Sequence, residues 1–179
     1  MDHSELALLI DRTCRLTGAF TLRSGQIAGE YFDKYLFESQ PQILRAVAQE
    51  MVPLVPPSTQ VLGGLELGGI PLATMVSSIT GLPVVFVRKK AKEYGTRRLA
   101  EGLDVGGTSV TLIEDVLTTG GAVREATGAL RALGATVAMA ICAIDRSGLP
   151  GGPLKDVEVE TRSVLTKADL DHARGGAGG

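Results

Sequence analysis

The sequence has 179 residues, 44% of them hydrophobic and 21% charged, with a formal net charge of −2, the profile of one folded unit with a substantial core. A chain of this length folds without disulfide staples or a structural metal; two cysteines make no framework, and the only histidines, His3 and His172, lie near the ends, which argues against Ser-His-Asp or Cys-His nucleophile chemistry and a His-ligated zinc site. The near-neutral balance argues against nucleic-acid and membrane-surface partners, no run approaches a membrane span, and the start, Met-Asp-His-Ser-Glu, lacks a basic leader region, so the expected location is cytoplasmic.

Leu6, Leu9, Ile10 and Cys14 fall at helical spacing, predicting an N-terminal helix capped by Ser4 and stopping near Gly18. Phe20 to Gly25 alternates briefly, and five of the seven aromatics (Phe20, Tyr31, Phe32, Tyr35 and Phe37) fall within this early stretch. A second helix opens at Pro41, carries Ile43, Leu44, Val47, Ala48 and Met51 on one face, and ends at Pro53. Beyond Pro56-Pro57 short apolar runs alternate with helical segments. Val61-Leu62 leads through Gly63-Gly64 to a helix from Ile70 to Ile79, and Val84 to Val87 leads to a basic segment. Val110 to Ile113 leads to a helix from Ala122 to Leu133, and Thr136 to Ile144 is a further apolar run. Such a pattern predicts an α/β fold with a mostly parallel sheet covered on both faces. Val157 to Thr161 alternates like an edge or antiparallel strand, Lys167 to His172 reads as a short helix, and residues 174–179 as a loose tail. Without repeats or a long linker, 1–179 reads as a single domain.

Ligands of open α/β sheets bind beyond the carboxyl ends of the strands. Val110 to Ile113 is followed there by Glu114-Asp115, Val116-Leu117, and Thr118-Thr119-Gly120-Gly121-Ala122 opening a helix. The amides of Thr118 to Ala122, backed by a helix N-terminus, form a nest for a phosphate, and the two acids can accept from sugar hydroxyls or from water around Mg²⁺. Neither a GxxxxGK[ST] loop nor a strand-linked GxGxxG is present. Arg88, Lys89, Lys90, Lys92, Arg97 and Arg98 stand against Glu93 alone within eleven positions. Beside a phosphate nest, such a segment can close over a polyphosphate, neutralise a leaving group and exclude water.

The run of apolar residues, two acids and a Thr/Gly loop resembles the phosphoribosyl-diphosphate (PRPP) signature of the type I phosphoribosyltransferases. That resemblance implies their fold, with a small N-terminal hood (about 18–40 plus the C-terminal segment) on a core of about 41–150. It assigns Glu114 and Asp115 to the ribose hydroxyls and places Val116, Leu117, Thr118, Thr119, Gly120, Gly121 and Ala122 in the PRPP site, Thr118 to Ala122 around the 5-phosphate. Phe86 to Gly95 resembles the catalytic loop of the orotate phosphoribosyltransferases, which implies PRPP or pyrophosphate contacts for Arg88, Lys89, Lys92 and Tyr94. Lys92 would be the catalytic cation, and the 88–102 loop would be shared between the subunits of a homodimer. Phe20 to Gly25 with Tyr31-Phe32-Asp33 resembles the hood of that family and Asp145-Arg146 its Asp-Arg pair, so that Arg23, Tyr31, Phe32, Thr118 and Arg146 would bind orotate. Position 23 is Arg where the family commonly has Lys, Gly68 stands where many members place a PRPP-contacting Lys, and Glu30 and Lys34 add charges around the hood. Gly63-Gly64, Gly68-Gly69 and Gly120-Gly121 read as backbone bends lining PRPP. The implied reaction is Mg²⁺-dependent transfer of phosphoribosyl from PRPP to orotate, giving orotidine 5′-phosphate and pyrophosphate in pyrimidine (UMP) biosynthesis. Mg²⁺ would be bound mainly through PRPP and water, with no protein metal site. The two departures leave open a paralogous phosphoribosyltransferase for another acidic or pyrimidine-like base, or a non-catalytic PRPP-sensing regulator.

Overall fold

The computed structural model describes residues 1–21, 24–89 and 99–176. Helix α1 (His3–Cys14) is capped by Asp2 rather than Ser4. Asp2 Oδ1 accepts from the Glu5 N–H at 2.8 Å and Glu5 Oε2 from the Asp2 N–H at 2.9 Å, a reciprocal box that satisfies two otherwise orphaned donors. The helix stops at Cys14, short of Gly18, because Arg15 already pairs with Phe32 as strands β1 (Arg15–Thr21) and β2 (Ile27–Phe32) form an antiparallel hairpin. Arg15 is fixed there by Asp11 at 2.6 Å and Glu30 at 2.9 Å. A short helix α2 (Tyr35–Glu38) and helix α3 (Pro41–Met51) follow, the latter giving way to a single 3₁₀ turn through Pro53.

The central sheet comprises β3 (Val61–Leu65), β4 (Val84–Val87), β5 (Ala100–Glu101), β6 (Ser109–Leu117), β7 (Thr136–Asp145) and β8 (Glu160–Thr166), in the order β5-β4-β3-β6-β7-β8. All neighbours are parallel except β5, which runs against β4. Helices α4 (Gly69–Thr80), α5 (Gly121–Ala132) and α6 (Lys167–Gly176) complete the fold. Alternate residues of each strand feed opposite faces: Leu62, Ile113 and Ile141 join Ile10, Val47 and Leu72 in one core, while Val61, Leu112 and Cys142 join Val87, Val123 and Leu130 in the other. Both cysteines are free and buried; burial pushes the Cys14 thiol up to about 12 and raises that of Cys142 as well, leaving neither reactive. Among the described residues no helix is long and apolar enough to cross a membrane.

Three elements differ from the sequence expectation. Gly63 and Gly64 lie inside β3 and make no bend; they are packing glycines, since a Cβ would come within 2.8 Å of Leu112 or 2.9 Å of Ala73. The last strand is Glu160–Thr166 and not Val157–Thr161, and it runs parallel to β7 from Met139↔Glu160 to Asp145↔Thr166. Lys155–Val157 forms a 3₁₀ turn and Glu158 takes φ 54°, which breaks the alternating stretch before it can pair. The final helix continues through residues 174–176, part of the expected tail. Because β3 leads outward to β4 while β6 is its neighbour on the other side, the strand order reverses between β3 and β6. A ligand crevice belongs beyond the carboxyl ends of these two strands.

Candidate active site

Glu114 and Asp115 lie within β6, which runs on to Leu117, and not after its end. Both are buried, Asp115 completely. Asp115 Oδ1 accepts from the Val116 N–H at 2.6 Å, while Oδ2 forms an ion pair with Lys34 Nζ at 2.5 Å. Lys34 immediately precedes α2, and Glu38, also buried, reaches the same place from that helix. The Asp115 and Glu38 carboxylates meet at Gly68, ahead of α4: a Cβ there would lie 1.7 Å from Asp115 Oδ2 and 2.7 Å from Glu38 Oε1. Burial first, and then the neighbouring Asp115, pushes Glu38 up to about 8 and Glu114 up to about 9. Burial opposes the Asp115 charge too, but Glu114 and Lys34 prevail and hold it below the ordinary carboxylate value. Lys34 stays above its ordinary value despite desolvation because Asp115 faces it. Near neutrality Asp115 is therefore the ionised acid and Glu114 and Glu38 carry protons. Together they offer an incoming hydroxyl both an acceptor and a donor.

Beyond β6 the chain turns at Thr118-Thr119-Gly120 into α5. Gly120 takes φ 76°, and a Cβ on it would lie 2.6 Å from the Leu154 side chain, so both conformation and space call for glycine. Arg124, in the first turn of α5, clasps the loop from outside, donating to Thr119 O at 2.5 Å, to Pro153 O and to both Asp156 oxygens. The result is a small cavity of about 130 Å³ lined by Glu114, Val116 and residues 117–123, with the positive end of a helix behind it.

The carboxyl end of β4 delivers the basic segment. The Arg88 N–H donates to Leu99 O, the Lys89 N–H to Glu66 Oε2 at 3.0 Å, and Val87 pairs with Ala100. Residues 100–101, expected within the 88–102 loop, are therefore strand, and 90–98 lie outside the described residues. A cavity of about 80 Å³ joins Arg88 and Lys89 to Glu66 and to Ala122 of α5, placing the stem of this loop beside the phosphate nest. On the other side, the Arg146 N–H donates to Leu117 O at 2.8 Å, and its guanidinium lies 5.3 Å from the Phe32 ring centre. Arg15, Glu30, Phe32, Arg146, Lys167 and Arg174 wall a cavity of about 360 Å³ between hairpin, β7 and α6.

Residues 38–169 match the phosphoribosyl transferase domain family. The orotate phosphoribosyltransferase of a Nocardioides species is 69% identical over 169 residues, 94% of either chain. The chain belongs to the orotate phosphoribosyltransferase family. Its fold agrees: the crystal structure of the Mycobacterium tuberculosis orotate phosphoribosyltransferase superposes with a TM-score of 0.82 at 34% identity, covering 95% of this chain and 99% of that one. A second structure of the same enzyme, in complex with PRPP, gives 0.77 at 30% identity over 96% and 99%.

Of the residues that this family resemblance singles out, the structure gathers Glu114, Val116, Leu117 and Thr118 to Ala122 around one cavity, with Asp115 buried next to Glu114 and with Arg88 and Lys89 on an adjoining cavity that shares Ala122. Arg23, Lys92 and Tyr94 lie outside the described residues. Tyr31 and Phe32 are separated: as strand neighbours they point to opposite faces, Phe32 toward Arg146 and Tyr31 toward Phe20, with ring centres 5.6 Å apart and Tyr31 45% exposed. The Tyr31 ring is thus turned away from the Arg146 pocket it is expected to share. Sequence reasoning misses Glu38 and Arg124 and leaves Lys34 without a role. For Arg124 a signal exists, a cation one turn into a helix that opens on a phosphate loop; for Glu38 and Lys34 there is none, because their partner is Asp115, far along the chain.

Proposed function

We propose that the chain transfers the 5-phosphoribosyl group of PRPP to orotate, forming orotidine 5′-phosphate and pyrophosphate, as a cytoplasmic step of pyrimidine biosynthesis. The observation that carries this reading is the β6–α5 passage, where a buried acid pair and a phosphate nest lie one turn apart beside the stem of a basic loop. In it, the Thr118 to Ala122 amides hold the 5-phosphate, and Glu114 and Asp115 hold the ribose hydroxyls. Arg88, Lys89, Lys92 and Tyr94 meet the diphosphate. Arg146, braced on Phe32, takes the orotate carboxylate edge with Arg23 and Thr118, and the 360 Å³ cavity beside it is large enough for a planar six-membered ring.

As the bond from ribose C1 to the diphosphate oxygen breaks, positive charge grows on the sugar and negative charge on the leaving group, while a ring nitrogen of orotate bonds to C1. Cations aimed at the diphosphate act on the charge that develops, and Lys92 is the one we assign to that step. Among the described residues no group of three or more His, Cys, Asp or Glu side chains is placed to ligate an ion. In this reading Mg²⁺ would be held mainly by PRPP oxygens and water and would spread the leaving-group charge, with Glu114 and Asp115 near its water shell. We extend the reading to a homodimer in which the basic loop of each chain serves its partner's site. Steady-state assay tests the whole: pyrophosphate release should require PRPP, Mg²⁺ and orotate together, with uracil or nicotinate unable to replace orotate. Absence of orotate turnover overturns the assignment of the base.

A further inference from the structure

We propose that Lys34 is a positioning residue for the ribose end of the PRPP site: it holds the Asp115 carboxylate in the gap at Gly68 in the free protein and yields it to the sugar hydroxyls when PRPP enters. The inference rests on the ribose role given above to Asp115. Three observations carry it. The space that a side chain at position 68 would fill is occupied by the Asp115 carboxylate, 1.7 Å from the Cβ position, so glycine there is what admits the acid. Lys34 Nζ, on a side chain one-third exposed, reaches that fully buried acid at 2.5 Å. The same ammonium lies 5.3 Å from the Tyr35 ring centre, which gives it a second resting place once Asp115 is engaged.

Glu38 Oε1 adds an unpartnered acceptor at the same gap, being buried without a hydrogen bond and 2.7 Å from the Gly68 Cβ position. An incoming hydroxyl would satisfy it. The charged and titratable groups that face Lys34 are Asp115 and Glu114 from β6 and Tyr35 from α2; Glu38 of α2 feels Lys34 and, from the turn before it, Asp33. Without the ammonium, three buried acids compete for protons and Asp115 loses its claim to be the ionised one.

The test is Lys34→Met, near in length and without charge. KM for PRPP should rise about tenfold or more while kcat at saturating PRPP stays within about threefold, and the acid limb of kcat/KM for PRPP should move to higher pH. Lys34→Arg should restore most of the KM. A purely structural lysine would lower Tm without moving the acid limb, and an unchanged KM and pH profile overturns the proposal whatever happens to Tm. Should Lys34→Met not fold, Lys34→Gln, also uncharged but able to hydrogen-bond, is read in its place, with the same rise in KM expected. PRPP binding followed by calorimetry reports the effect without orotate, so failure of this role and failure of the base assignment are told apart.

Discussion

At the α5 end of the crevice Thr118 and Thr119 are exposed, and the groups offered to a ligand are backbone N–H donors, fixed by a left-handed Gly120 and the Arg124 clasp. At the α2 end the offered groups are side chains, Asp115, Glu114 and Glu38, all buried and each with its charge set by the others and by Lys34. Donors of the first kind do not titrate and cost little to keep in place; acids of the second kind hold a balance of charge that changes with pH. The same substrate would thus be gripped by geometry at its 5-phosphate and by a tunable charge cluster at its ribose. Substitutions at the first end should act alike at all pH values, and those at the second should act through pH.

The largest effect is expected at Lys92, the cation assigned above to the leaving-group charge. Lys92→Ala should lower kcat by about 100-fold or more while PRPP binding by calorimetry changes little, the mark of a contact made in the transition state. If the loop serves the partner's site, mixing Lys92→Ala chains with Gly120→Val chains restores turnover, since a heterodimer then holds one intact site. Gly120→Val comes next. It forces a β-branched residue to φ 76° and drives its Cβ toward Leu154, which should cost about 1–3 kcal/mol in stability. By displacing the nest it should reduce kcat/KM for PRPP roughly 10- to 100-fold, by the same factor at about pH 6 and about pH 8. A loss that varies with pH between those values would erase the contrast between the two ends.

The geometric end is legible in the sequence because it is contiguous: acids, hydroxyls and paired glycines follow one another from Glu114 to Ala122, and the β6–α5 turn only has to fold as such sequences do. The alternating β-α order is legible for the same local reason. What escapes is set by partners distant in the chain. Gly63-Gly64 has the composition of a bend, but within β3 a Cβ at Gly63 would meet Leu112 of β6 and one at Gly64 would meet Ala73 of α4, so glycine serves packing at both positions. Val157 to Thr161 alternates like a strand, yet the ladder of β7 selects Glu160–Thr166 and leaves Val157 in a turn. Gly68 is a missing lysine in the sequence and a space filled by Asp115 in the fold. The charge at Lys34 has no meaning until Asp115, many residues later, is placed against it.

The smallest effect probes the titrating end through stability alone. Glu38 has its folded-state value raised from 4.5 to about 8, chiefly by burial and then by Asp115. Across that window the native chain holds a proton that the unfolded chain has released, so unfolding is helped as pH rises, and stability present below about pH 4.5 is lost progressively toward pH 8. Glu114, raised to about 9, adds a decline of the same sign extending slightly further. Asp115, lowered, works in the opposite sense and only in acid, below the range of interest. Glu38→Gln keeps the shape and cannot ionise, so the fall of Tm with pH over this window should become shallower, leaving the slope due to Glu114. Thermal melts of both proteins across the window measure it. Parallel slopes would mean that Glu38 is already ionised in the native protein, leaving Glu114 as the group through which the ribose end responds to pH.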